Sequence, residues 1–411
     1  MKSTVFLLLI PALLSAAGCA ATRPQGVEPG FPALLAGAEA APPGEERERL
    51  VEGLWSRSAR GRLPLVDAAG DTATFLYRGS TDSVFLTGDM TGWSSRIPFR
   101  RLPGTDLFHL RMGFPCEARL DYKLLLGNGS FILDPENPRT APGGYGPNSE
   151  LAMPGFRRAP EPDAAPEAPG GSLSTLRVKS AHLGYAHEVH VYTPPGYAGA
   201  SFRCGVAYFQ DGGDYLRFAQ AVLVLDAMHG AEAVPPLAAV FIVPPPGPGT
   251  DRTTEYGLNG SYISFVADEL VPLVDSLFRT IPRPSARLAM GASYGGLISL
   301  GLALSRPDVF ANAASQSGYV SFRSDTLASL AARLPRPDVS LYLDCGTYET
   351  SVGGAARARE GDFIAGNRRL RQVLEERGYP LAYREFPDGH SWGRWRNELP
   401  DILRRFFGWR P

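Results

Sequence analysis

The sequence predicts an α/β protein, a mostly parallel sheet of about eight strands with a small β-sandwich ahead of it. Three observations carry this. From residue 173 onward, short apolar strands alternate with longer stretches of helical period, the pattern of a sheet covered by helices. From about Thr72 to Leu124 the apolar period is two, in short segments broken by Gly, Asn and Asp. Between these regions Pro154 to Gly171 is dense in Pro, Ala, Glu and Gly and reads as a linker.

The chain starts with a targeting pattern. Lys2 is followed by an apolar run, Val5 to Leu14, too short for a confident membrane span, and then by Ser15-Ala16-Ala17-Gly18-Cys19. This resembles a bacterial lipoprotein signal. Residues 1–19 are therefore expected to be a signal peptide, with Cys19 lipidated and the protein exported and membrane-anchored. An ordinary cleaved secretory signal is the other reading. Residues 20–69 read as an Ala-, Pro- and Gly-rich tether with a short amphipathic helix from Glu45 to Arg60.

Residues 70–153 form the expected sandwich, with strands at Thr74–Tyr77, Ser83–Thr87, Leu107–Leu110 and Leu120–Leu124. The motifs Gly88-Asp89-Met90-Thr91-Gly92-Trp93 and Asp134-Pro135-Glu136-Asn137-Pro138 resemble the early-set immunoglobulin-like module. Its relatives include carbohydrate-binding modules, so the resemblance implies either a sugar-stacking or a packing role for Trp93.

In residues 172–411, strands are expected at 173–181, 187–193, 205–210, 238–243, 286–290, 311–315, 339–345 and 381–386. Helices are expected at 215–229, 260–279, 294–305, 324–333, 361–377 and 397–407. The fifth strand runs into Gly291-Ala292-Ser293-Tyr294-Gly295, and a helical run leaves at once. A serine on such a turn exposes its hydroxyl, and the glycines let strand and helix approach closely. The Tyr294 N–H would face a developing oxyanion.

A serine hydroxyl needs a base, and the base needs an acid to orient it. In the order Ser, acid, His of α/β hydrolases, His390 is the one histidine downstream of Ser293. Glu349 leads for the acid because it follows the seventh strand; Asp344, Asp362, Asp388 and a Ser–His dyad stay open. A second oxyanion donor is expected from Gly212 or Gly213, in the turn after the third strand.

Gln210-Asp211-Gly212-Gly213, Asp251-Arg252-Thr253-Thr254-Glu255-Tyr256, Gly346-Thr347-Tyr348-Glu349 and Gly389-His390-Ser391-Trp392 resemble, with the elbow, the "Putative esterase" family. That family holds enterochelin, feruloyl and acetylxylan esterases. The resemblance covers about 173–408 and implies a Ser293–His390–Glu349 triad, an Asp211 turn beside the oxyanion and no cofactor. Arg252, Asp211 and Trp392 are candidate substrate contacts; an ion pair of Arg252 with Glu255 or another acidic neighbour, and a packing role for Trp392, are the alternatives.

The 41 basic and 42 acidic residues nearly cancel, so nothing points to nucleic acid. No two cysteines are close and the six histidines form no ligand cluster, so no metal is expected. Cys204 and Cys345 could pair in an exported protein or remain free thiols. The expected activity is exported serine ester hydrolysis of the enterochelin-esterase type. Feruloyl or acetyl esters of polysaccharides are the alternative substrates, and a non-catalytic glycan binder is the alternative class.

Overall fold

In the computed structural model, the described residues are 30–59, 61–159, 170–247, 250–333, 335–353 and 358–409. The expected signal peptide with Cys19, the first part of the tether, and residues 160–169 of the linker lie outside them.

The N-terminal region contains two antiparallel sheets around one apolar core. One is ordered Leu65–Val66, Thr72–Arg78, Leu107–Gly113, Arg100–Arg101. The other is ordered Ile97–Pro98, Val84–Gly88, Arg119–Leu126, Asn148–Ala152, Thr140–Ala141, with Phe131–Ile132 pairing beside Arg119–Leu126. Strand alternation sends Leu120, Tyr122 and Leu124 into the core with Phe75, Phe108, Leu86 and Leu151. The intervening Arg119, Asp121 and Lys123 therefore share the opposite face. Asp121 and Lys123 reach the large cavity described below.

Part of the expected tether is folded. Phe31–Ala40 is a helix with Pro32 in its first turn, and Glu45–Leu54 is a second. Phe31, Leu35, Ala38, Val51 and Leu54 pack on Leu65, Leu76 and Leu107 of the sandwich. Alanine- and proline-rich composition suggested a spacer, but an apolar side chain at every third or fourth position docks the helix.

The C-terminal region has one eight-stranded sheet. Its strands are numbered β1 (Ser172–Lys179), β2 (Ala186–Thr193), β3 (Gly205–Phe209), β4 (Leu237–Val243), β5 (Arg287–Ala292), β6 (Asn312–Gln316), β7 (Ser340–Gly346) and β8 (Leu381–Phe386). Their order across the sheet is β1-β2-β4-β3-β5-β6-β7-β8. β1 and β2 form an antiparallel hairpin, β2 meets β4 antiparallel, and the other pairs are parallel.

Both faces are buried, so the strands are apolar almost throughout. Val206, Tyr208, Val240, Ile242 and Ala289 pack under helices Gly260–Ser264, Val271–Leu277, Tyr294–Ser305 and Phe363–Glu376. Ala207, Phe209, Phe241, Leu288 and Met290 pack under Ala221–Gly230 and Trp392–Phe407. The helix expected at 215–229 is instead Gly212–Arg217 followed by Ala221–Gly230, divided where Gln220 takes φ 50°. The helix expected from 397 starts at Trp392, capped by Ser391, whose side chain accepts from the Arg394 N–H.

Cys204 and Cys345 are buried free thiols. Cys204 precedes β3 and Cys345 lies near the carboxyl end of β7, with β5 and β6 between those strands. Three strand spacings of about 4.8 Å exceed the reach of a disulfide.

Candidate active site

Ser293 occupies the turn between β5 and the helix Tyr294–Ser305, with φ 58° and ψ −120°. Positive φ at a residue with a side chain is strained and persists only where the surroundings enforce it. Here the Ser293 N–H donates to the Gln316 carbonyl at 2.9 Å, and the Ser293 carbonyl accepts from Leu297 and Tyr319 at 3.1 and 3.0 Å. Glycine is required at Gly291, where a Cβ would stand 2.5 Å from the Gly295 carbonyl carbon. The first intrahelical bond comes from Leu297, so the Tyr294 N–H precedes the hydrogen-bond ladder.

His390 lies after β8, and its Nδ1 is 2.7 Å from Glu349 Oε2. An ionised carboxylate only accepts, so Nδ1 donates and Nε2 is left with its lone pair. Glu349 is 1% exposed. Its other oxygen accepts from the Gly346 N–H at 2.7 Å and from Ser317 Oγ at 2.6 Å. Ser317 in turn accepts from Trp395 Nε1 at 3.0 Å. The imidazole is held between ring edges, at centroid distances of 5.1 Å to Phe363 and 4.9 Å to Trp395.

The other three carboxylates are engaged elsewhere. Asp344 accepts from the Ser317 N–H at 3.1 Å, and burial pushes its pKa up to about 7. Asp362 caps the helix Phe363–Glu376. Asp388 accepts from the Gly389 N–H at 2.7 Å and faces Arg119. Burial raises its pKa well above the ordinary carboxylate value.

The turn after β3 brings Asp211, with φ 56°, to the same edge of the sheet. The Gly212 and Gly213 N–H groups precede the first intrahelical bond, from Asp214 to the Asp211 carbonyl at 2.9 Å. A Cβ on Gly212 would stand 2.3 Å from the Phe241 carbonyl carbon, so only glycine lets this turn lie on β4.

Arg252 borders the cavity over Ser293 and also binds the protein itself. Its Nε and Nη2 grip Asp211 at 2.6 and 2.8 Å, and Nη2 also reaches the Ala292 carbonyl at 3.2 Å. It ties the Asp211 turn to the elbow, and Asp211 is likewise occupied. Glu255 pairs with His187 and Tyr185 instead.

A cavity of about 820 Å³ opens over Ser293, Glu349 and His390, with Trp392 in its wall. The Trp392 ring meets Tyr215 and Trp395 at centroid distances of 5.1 and 4.8 Å. Much of the far wall belongs to the sandwich, including Trp93, Lys123, Phe131 and Tyr145. Trp93, Phe131 and Tyr145 are among the exposed large hydrophobic side chains. Trp93 is not core: it is partly exposed and borders the cavity. Its backbone takes φ 57° and its Nε1 donates to the buried Asp89 at 2.8 Å, which fixes the indole at the rim. Sequence reasoning did not find Ser317, gave Trp395 no role beyond its place in the motif Gly389–Arg396, and of the sandwich wall singled out only Trp93. The glutamate–Ser317–Trp395 chain of bonds joins the loops after β7 and β6 to the final helix, and no spacing in the chain encodes it.

The chain is similar to known proteins along most of its length. An uncharacterized protein, YjcH, of Bacillus subtilis is 27% identical over 242 residues, 57% of this chain and 97% of that protein. An iron(III) enterobactin esterase of Dickeya dadantii is 25% identical over 414 residues, 86% of this chain and 92% of that one. The ferric enterobactin esterase structure from Salmonella typhimurium superposes with a TM-score of 0.71 at 18% identity, covering 86% of this chain and 97% of that one, which shows a shared fold. The family model described as "Putative esterase" matches residues 180–406, more than half of the chain, and the protein belongs to that esterase family.

Proposed function

We propose that this esterase works through Ser293, His390 and Glu349 by way of an acyl-enzyme, and that its substrates are large esters bearing aromatic acyl groups, of the siderophore type. The observation that carries the reading is the 2.7 Å Glu349–His390 bond in a cavity that also holds Ser293 on its elbow. Ser293 Oγ attacks the ester carbonyl carbon while His390 Nε2 takes its proton. The oxyanion is met by the N–H groups of Tyr294 and of the Gly212–Gly213 turn. His390 returns the proton to the departing alcohol. Water then attacks the acyl-enzyme with the same base and frees the acid.

The substrate class rests on two supports. The cavity of about 820 Å³ is far larger than an acetyl group needs, and its outer wall is aromatic. The iron(III) enterobactin esterases matched along most of the chain support a catecholate ester over a sugar acetate. Feruloyl esters share the aromatic acyl group and remain the second reading. Turnover of acetyl, feruloyl and 2,3-dihydroxybenzoyl-serine esters by the wild type, with Ser293→Ala as the blank, tests both parts. Ser293→Ala should lower kcat by on the order of a million-fold with folding intact. A loss under tenfold would remove Ser293 from the mechanism, and acetyl esters as the best substrates would remove the aromatic assignment.

Export with lipidation at Cys19 is proposed on the leader pattern of Lys2, Val5–Leu14 and Ser15–Cys19. Fractionation of cells making Cys19→Ser should move the protein out of the membrane pellet or leave a precursor. A wild type wholly in the soluble fraction would sink it.

A further inference from the structure

The segment carrying His390 is gripped from outside its own sheet. The Arg119 N–H, at the start of a sandwich strand, donates to the Pro387 carbonyl at 3.1 Å. The Arg119 guanidinium is 1% exposed. Its Nη1 donates to Ser391 Oγ at 2.7 Å, and Asp388 lies 3.7 Å away. Its Nε donates to Glu150 at 3.0 Å, and Nη2 lies at ion-pair distance from Asp121 and Glu150, 2.7 and 2.9 Å, all within the sandwich. Two glycines make room for this docking. A Cβ on Gly393 would stand 2.1 Å from Arg119 Nη2, and one on Gly389 would stand 2.1 Å from Asp89 Cγ. Thus His390 has a sandwich-bound residue on each side, and its following helix begins beneath the guanidinium.

We propose that Arg119 is a positioning residue for the esterase reaction: through it, the sandwich sets the loop and helix start that aim His390. The proposal rests on His390 being the base.

Burial of a guanidinium among carboxylates is weak as a stability device, because desolvation takes back most of the Coulombic gain. What it does supply is direction. The planar guanidinium bonds Glu150 on the neighbouring sandwich strand through Nε and the hydroxyl that caps the His390 helix through Nη1, in one fixed geometry that an ammonium cannot reproduce. Glu349 fixes the imidazole from one ring nitrogen. It does not by itself fix where the Pro387–Gly393 backbone lies; the contacts with Arg119 and Asp89 do so together with the Tyr348 N–H, which donates to the Asp388 carbonyl at 3.2 Å. A displacement of about 1 Å at a base costs up to about a hundredfold in rate.

The test uses the full chain with p-nitrophenyl acetate, too small to need the sandwich wall. Active sites are counted by fluorophosphonate titration, so that kcat refers to competent molecules. A purely structural role would lower the count of sites or the melting temperature but leave turnover per site unchanged. Arg119→Lys should retain a cooperative melt and lose between about tenfold and a hundredfold in kcat per site, with KM within about twofold. Ser391→Gly keeps an acceptable helix cap while removing the Arg119 acceptor. It should change kcat in the same direction, and it carries the test if Arg119→Lys does not fold. Turnover per site within twofold of wild type in the folded variants, or a rise in KM alone, would overturn the proposal. His390→Ala separates the two levels. If it too leaves turnover within tenfold, the base assignment itself falls; if it abolishes turnover while Arg119→Lys and Ser391→Gly do not, only the positioning role falls.

Discussion

At the scale of single residues, four carboxylates were open as the acid, and the structure brings one of them to the histidine. Glu349 succeeds for a geometric reason. It stands three residues beyond β7, so its carboxylate can fold back to the Gly346 N–H and still face His390. Asp344, inside β7, points toward Ser317. Glu349→Gln is therefore expected to keep the fold and lower kcat by about a thousandfold or more, because an amide can present its N–H to Nδ1 and favour the wrong tautomer. Asp344→Asn and Asp362→Asn should each cost far less. Steady-state rates on one chromogenic ester check this, and a severe Asp344→Asn or Asp362→Asn beside a mild Glu349→Gln would reassign the acid. For Arg252 a ligand contact and an ion pair were both open: its Nε–Nη2 edge grips the buried Asp211, and the residue also borders the cavity.

At the scale of elements, the elbow is the most constrained junction. β5 and the helix Tyr294–Ser305 approach so closely that Gly291 has the Gly295 backbone where a Cβ would go. Backbone cannot step aside as a flexible side chain can. Gly291→Ala should destabilise the protein by roughly 1–3 kcal/mol, the usual cost of overpacking. It should also lower turnover, because relief of the clash rotates Ser293. Thermal melts and active-site counts measure the two effects; an unchanged melting temperature would mean that the junction is looser than its geometry. The Asp211–Arg217 turn shows the same logic, with Gly212 against Phe241.

At the scale of the whole molecule, the Pro- and Ala-rich stretch reads as a linker between two regions with separate cores, and the chain on both sides of it packs on the C-terminal region. Before the undescribed residues, Arg157 and Ala159 are already bonded to Asn397 of the final helix. Beyond them, Gly171 donates to Asp226 at 2.8 Å. The molecule is rich in buried acids, several of them where the sandwich meets the histidine loop, which ties stability to pH. Burial pushes Asp89, with Asp121 beside it, and Asp344 up to about 7, and Asp134 up to about 6. In the unfolded chain such groups titrate near pH 3.9, so between about pH 4 and 7 the folded state holds more protons and stability falls as pH rises. Asp121 and Asp388 are raised by burial as well. The buried His109 and His229 are lowered by burial and act in the opposite sense below about pH 6.5, but they are fewer. Melting followed by circular dichroism should therefore show a lower midpoint at pH 7.5 than at pH 5. A midpoint that climbs steadily over that interval would mean that these acids are ionised in the folded protein.

The sequence by itself determined the order of strands and helices, the elbow at Ser293 and the one histidine downstream that could serve it. These are local facts: apolar period, glycine at a tight crossing, and a single histidine downstream of the serine. The "Putative esterase" resemblance followed from the same short motifs. Tertiary structure alone decided which carboxylate meets His390, what Arg252 holds, that residues 31–40 dock as a helix, and that the sandwich walls the cavity and grips the histidine loop. The reason is range. Arg119 and Ser391 are 272 residues apart. Their bond depends on how two sheets pack, and neither period nor motif in the chain records where one folded surface lands on another.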